Sequence, residues 1–211
     1  LFLAIKGLKL HGEIITTPYS FYATAAAILQ SGCHPVFADV REDFNIDPAA
    51  IEAAITPSTV AILTVHWGGR PCDMSKIHEI ATRHGLAVIE DACQAIGSKW
   101  RGKPVGSWGN AGAFSLHPLK RVLCFGDGGL VTTNDDILAD TIRKLRNHGM
   151  TGRDTIEVFG YNSRLDTTNA IVAHHVLGKL DAAIAYVQAF ATRLSTGLVG
   201  IRSLRIAPMP V

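Results

Sequence analysis

Two apolar runs joined by one capped helix constrain this chain more than any other feature. Thr59–Val65 is an unbroken β-rich run, as in a strand covered on both faces. Asp73 then caps a helix whose apolar face is Ile77, Ile80 and Ala81, and Gly85 stops it. Residues 86–89 form the next buried strand. Strand, helix and strand in that order make the unit from which parallel sheets are built. The unit recurs upstream as a strand at Glu13–Thr16, an Ala-rich helix at 21–31, a strand at 35–40 and an Asp47-capped helix through Ala54. The chain opens in a helical pattern carried by Leu1, Phe2, Ala4, Ile5 and Leu8. The expected fold is therefore α/β, a three-layer sandwich with a mainly parallel sheet. Downstream the pattern predicts short strands at 113–116 and 130–133 and a helix at 135–147. An irregular stretch at 148–163 and a long helical region at 166–194 follow.

Composition narrows the function classes. Hydrophobic residues make up 47% and charged residues 18%, a globular balance and not a disordered one. A net charge of +2 gives no electrostatic reason to expect nucleic acid or a membrane surface as partner. No run reaches the roughly eighteen apolar residues of a membrane span, and no secretory signal is visible. Cys33, Cys72, Cys93 and Cys124 form no Cys-x-x-Cys pair, so reduced thiols and a cytoplasmic location are expected. No metal site is expected. His78 and His84 do not make a His-Glu-x-x-His motif, and the adjacent His174 and His175 point apart on a helix.

In an open parallel sheet, ligands bind beyond the carboxyl ends of the strands. Glu90-Asp91, His66-Trp67, Ser115 with Pro118-Leu119-Lys120, and Thr17 to Phe21 all fall there. Each also has a plain structural reading. Asp91-Ala92-Cys93-Gln94 alone reads as a helix start, with Asp91 as cap and Gln94 reaching back. Lys120 alone reads as a surface lysine, His66 as a satisfied core histidine and Trp67 as packing. Gly126-Asp127-Gly128-Gly129 alone reads as a turn ahead of a strand, since no Lys-Ser or Lys-Thr follows it.

The order and spacing of these segments carry more than any one of them. Glu90-Asp91-Ala92-Cys93-Gln94 precedes Phe114-Ser115-Leu116-His117-Pro118-Leu119-Lys120 and then Gly126-Asp127-Gly128-Gly129. Arg146-Asn147-His148-Gly149 and Gly160-Tyr161-Asn162-Ser163-Arg164 follow. Asn45-Ile46-Asp47-Pro48 and the stretch from Val65-His66 to Pro71-Cys72-Asp73-Met74 stand in register upstream. This succession resembles the DegT/StrS family of pyridoxal-phosphate sugar aminotransferases over nearly the whole chain.

The resemblance implies the large domain of a pyridoxal-phosphate-dependent transferase, and it implies roles. Transamination needs an aldehyde cofactor and an electron sink, and a lysine that both links to the cofactor and moves a proton. By resemblance that lysine is Lys120. Asp91 would face the pyridine nitrogen, and Gln94 would lie near the ring oxygen. Phe21 would stack on the ring, and Ser115 would bind the phosphate. Asn162 would reach the phosphate across the interface of a homodimer. The implied substrates are a nucleotide-linked keto-sugar and, as amino donor, glutamate. A sugar dehydratase of the same family is the nearer alternative, but those relatives carry histidine where Lys120 stands. A non-catalytic regulatory protein on the same scaffold is the other, and the pair Asp91 and Lys120 speaks against it.

Against the family pattern, the Gly/Ser/Thr-rich turn that precedes the first helix is expected to lie before Leu1. Residues 1–194 are then the cofactor-binding large domain without its amino-terminal edge, and 195–211 the start of a small carboxyl-terminal domain. Leu119 and Arg121 flank Lys120 where relatives often carry Thr and Asn.

Overall fold

A computed structural model describes residues 1–201, 203 and 204. Six strands form one sheet in the order β2-β1-β3-β4-β7-β8. They are β1 (Glu13–Thr16), β2 (His34–Phe37), β3 (Thr59–Val65), β4 (Ala87–Asp91), β7 (Ala111–Ser115) and β8 (Gly129–Thr132). All neighbours pair in parallel except β7 and β8, which are antiparallel. The short antiparallel pair β5 (Lys99–Trp100) and β6 (Lys103–Pro104) stands apart.

Helices cover both faces, which confirms the three-layer α/β reading. On one face α1 (Phe2–Gly7), α2 (Ala23–Gln30) and α5 (Asp136–Leu145) enclose Ile5, Ile28, Leu63, Ile89 and Ile142. On the other, α3 (Pro48–Ala54) and α4 (Met74–His84) enclose Ile15, Ile51, Ile62, Ile77 and Val88. Successive side chains of a strand point to opposite faces. Ala61, Leu63 and Val65 of β3 therefore serve the first core and Ile62 the second, and this is why residues 60–63 run apolar without alternation. Burying each such side chain stabilises the fold by about 1.5–3 kcal/mol.

Local signals set the helix ends. Asp47 accepts a hydrogen bond from Ala49 N at 2.9 Å, with Pro48 at the first helical position. Asp73 accepts from Lys76 N at 3.2 Å, and Gly85 ends α4 in the left-handed conformation at φ 66°. Asp135 caps α5.

Two sequence expectations need correction. The strand read at 86–89 extends through Glu90 and Asp91, because ladder pairing continues to Val65↔Asp91 on one side and Asp91↔Ala113 on the other. No helix follows Asp91, so the capping reading of residues 91–94 fails; a series of turns leads to β5. The helical region read at 166–194 consists of two helices, α6 (Thr167–Leu177) and α7 (Leu180–Gly197), bent by 54° at Gly178-Lys179. α7 runs past Leu194, where a domain boundary was expected. Of the stretch 195–211 assigned to a second domain, Arg202 and residues 205–211 lie outside the described residues.

Candidate active site

The carboxyl ends of β1, β3, β4 and β7 share one edge of the sheet, and the antiparallel β8 begins there. Hydrogen bonds carry the ladder one step past the strand ends. His66 N donates to Asp91 O at 3.1 Å, and Ala92 N to Ala113 O at 2.9 Å. Asp91 is thus held by backbone on both sides, and it is buried.

Its carboxylate is held as well. Thr24 Oγ1 donates to Asp91 Oδ2 at 2.8 Å, and Cys93 N donates to Asp91 Oδ1 at 3.2 Å. Donors on both oxygens fix the carboxylate plane. Lys120 lies in the loop 116–128 that joins β7 to β8, half-buried, its backbone N bonded to His117 O at 2.8 Å. Among the described residues Lys120 forms no ion pair, with Asp91 or any other carboxylate. Burial pushes the Cys93 thiol up, and the charge of Asp91 adds to that.

Ser115 ends β7, where its Oγ accepts from His117 N at 3.2 Å. Gln94 Oε1 accepts from Gly68 N at 3.0 Å, which ties the turn after β4 to the turn after β3. Phe21 stands just before α2, 66% exposed, with one edge against Tyr22. A cleft of about 980 Å³ runs along β7, β8, α1 and α5 and takes in Tyr22, Cys93, Ser115, Asp127 and Ser163. Asn162 differs from the rest. It is exposed, paired through its backbone with Asn147, and hydrogen-bonded to none of the other candidate residues among those described.

Behind this edge lies a network the sequence did not suggest. Glu90 is fully buried, and its Oε1 accepts from Trp108 N at 2.7 Å and Gly109 N at 2.8 Å. Its Oε2 accepts from Gly106 N at 2.7 Å and faces His66 Nε2 at 3.0 Å. His66 Nδ1 accepts from Cys72 N at 3.0 Å, so Nε2 carries the proton and donates to Glu90. Burial raises the Glu90 carboxyl, but the His66 bond and the Gly109 and Gly106 N–H groups outweigh it and leave it below the usual carboxylate range. Gly106 comes this close because Gly112 has no side chain; a Cβ there would meet Gly106 Cα and O. His66 is thus the satisfied core histidine expected, and Trp67 packs against Tyr19 with ring centroids 4.5 Å apart. Thr24 was missed because 67 positions separate it from Asp91, and its surroundings read only as an Ala-rich helix. The only local sign of Glu90 is a second carboxylate beside Asp91 at the end of an apolar run.

The structure thus combines a mainly parallel sheet, a clamped carboxylate at a strand end and a lysine without an ion pair among the described residues on the loop after the neighbouring strand. The chain belongs to the DegT/DnrJ/EryC1/StrS aminotransferase family, whose profile matches residues 1–210. It is 50% identical over 171 residues to a pleiotropic regulatory protein of Geobacillus stearothermophilus, covering 81% of this chain and 46% of that protein. It is 41% identical over 202 residues to dTDP-3-amino-3,4,6-trideoxy-alpha-D-glucose transaminase of Streptomyces venezuelae, covering 94% and 53%. The X-ray structure of S. venezuelae DesV in complex with a ketimine intermediate superposes with a TM-score of 0.96 at 39% identity, over 100% of this chain and 57% of that one. The chain spans about half the length of the curated relatives it matches.

Proposed function

We propose that the full-length protein is a pyridoxal-phosphate-dependent aminotransferase that moves an amino group, with glutamate as donor, to a nucleotide-linked keto-sugar. One observation carries the reading: a buried carboxylate clamped on both oxygens ends a parallel strand, and a lysine with no ion pair among the described residues lies on the loop that follows the neighbouring strand.

The residues present suit the cofactor. Asp91 offers an oriented anion to a protonated ring nitrogen, and Lys120 an uncommitted amine to an aldehyde. Ser115 offers a hydroxyl to the phosphate, and Phe21 an open ring face. Gln94 keeps an amide NH2 without a protein partner among the described residues, while its oxygen is tied to Gly68. When bound, pyridoxal phosphate supplies the aldehyde and the electron-poor ring that make a carbon–hydrogen bond of the amino compound acidic. Lys120 Nζ would be the group that accepts that proton and gives it back. Asp91 keeps the ring nitrogen protonated, and its fixed plane means that no reorientation is needed during the reaction.

Further parts of the reading are homodimerisation, with Asn162 serving the neighbour's site, and a smaller second domain opening within residues 195–211. The long exposed segment before Asn162 supports the first. Among the described residues no single helix is long and apolar enough to cross a membrane, and the four cysteines are free. Both fit a cytoplasmic enzyme. The dTDP-sugar named for the Streptomyces relative supports a nucleotide-linked acceptor.

The test is a screen of the full-length protein with pyridoxal phosphate, glutamate and a panel of dTDP- and UDP-linked keto-sugars, read as 2-oxoglutarate formed. A visible cofactor band and turnover with at least one keto-sugar are expected. A protein that stays colourless with the cofactor is a scaffold protein of the regulatory kind. A coloured protein that eliminates water and releases no 2-oxoglutarate is a dehydratase.

A further inference from the structure

We propose that Thr24, backed by Ser20, is a positioning residue that sets the Asp91 carboxylate for the cofactor ring nitrogen; this rests on the cofactor reading above. Thr24 lies in the first turn of α2 and is 2% exposed. A buried threonine in a helix commonly returns its hydroxyl hydrogen to a carbonyl one turn back. Thr24 instead donates it across the fold to Asp91 Oδ2 at 2.8 Å. A hydroxyl has a single hydrogen to give. The 2.7 Å contact between Ser20 Oγ and Thr24 Oγ1 therefore has Ser20 as donor. Ser20, Thr24 and Asp91 make a directed chain that ends on one carboxylate oxygen, while Cys93 N holds the other.

The same short segment carries Phe21, whose carbonyl accepts from Thr24 N at 3.1 Å. One turn of chain thus supplies both the ring that would stack on the cofactor face and the hydroxyl that fixes the group at its edge. Without the Thr24 hydroxyl, Asp91 keeps one side-on donor and gains freedom about its last torsion. The effect would fall on the one cofactor atom that the carboxylate would face, the ring nitrogen.

The test compares the affinity of the full-length protein for pyridoxal phosphate with its affinity for the 1-deaza analogue, in which carbon replaces the ring nitrogen. Thr24→Val preserves shape and removes the hydroxyl. We expect it to weaken pyridoxal phosphate about ten-fold, the size of one lost hydrogen bond to a charged group, and to leave the analogue unchanged. Thr24→Ser should restore pyridoxal phosphate binding to within about two-fold of the parent, the hydroxyl being retained. Ser20→Ala, which removes only the second donor, should weaken it by a smaller factor and serves in place of Thr24→Val if that variant does not fold. Equal weakening of both ligands would make Thr24 a packing residue and overturn the proposal, as would unchanged affinity for both. Failure of the unaltered protein to bind pyridoxal phosphate defeats the cofactor reading itself, and is told apart because the parent shows it.

Discussion

Replacing Glu90 by Gln changes one atom and should cost far more than its size suggests. The two carboxylate oxygens accept four hydrogen bonds, two each. A glutamine keeps one oxygen and can satisfy two of the four donors. If that oxygen faces Trp108 N and Gly109 N, its NH2 faces Gly106 N and His66 Nε2–H. Reversing the histidine tautomer gives no relief, because Nδ1–H would then face Cys72 N–H, which Nδ1 now accepts at 3.0 Å. Two buried donors are left unsatisfied at about 1–3 kcal/mol each, or about 4 kcal/mol in the middle of that range. For a domain of this size that lowers Tm by about 8–16 °C. Thermal melts of the full-length protein followed by circular dichroism measure it. Glu52→Gln is the control. Its carboxylate is partly exposed and meets Arg83 and His84 at the surface, where removing a charge costs about 0–1 kcal/mol. A Glu90→Gln protein melting within about 2 °C of the parent, no more than a surface substitution costs, would refute the view that this network organises the back of the site.

The acid limb provides a second measurement. The Glu90 carboxyl sits below the ordinary value of 4.5, so its stabilisation is complete above that pH and is lost as the pH falls through its lowered value. Urea unfolding should show the gap between parent and Glu90→Gln closing below 4.5, and a gap of constant size down the acid limb would contradict the assignment. Lys120→Ala should leave helix content unchanged while abolishing the cofactor's visible band and transamination; retained turnover would assign the chemistry to another lysine. Asp91→Asn should still bind cofactor and lose most of the rate, since an amide cannot hold the ring nitrogen protonated; near-normal turnover removes Asp91 from its role. Mixing Asn162→Ala with Lys120→Ala should recover part of the activity, because one hybrid site then has both parent residues; no recovery despite demonstrated subunit exchange would leave Asn162 a local residue.

What could be read from the sequence follows the range of the interactions involved. β3, the Asp47 and Asp73 caps and the Gly85 stop are set within a few residues, and each was found at its place. The end of β4 was placed two residues short because Glu90 and Asp91 are poor strand formers by propensity. Pairing with β3 and β7 overrides that preference. The break at Gly178 was invisible because the apolar pattern continues across it. Asp91, Lys120, Gln94, Ser115, Phe21 and Asn162 come from a resemblance to a family, because no local pattern of the sequence singles them out. Thr24, Ser20 and the Glu90–His66 pair went unnoticed, since their meaning lies in contacts between distant segments.

Helix α7 has a consequence for timing. None of its eighteen residues is fully buried, and Tyr186, Phe190 and Leu194 are each at least half exposed. Its anchorage within the described chain is near its start, where Leu180 and Ile184 pack over Gly97. A helix of that length held at one end frays from the other, and its amides open at a free energy unrelated to that of the sheet. In hydrogen exchange the two regions then run as separate clocks, with residues 185–197 fast and β3 and β4 slow. Any surface that comes to cover the outer face of α7 slows the first clock toward the second. The exchange rate of this one helix therefore reports whether its outer face is covered, with no need for a substrate.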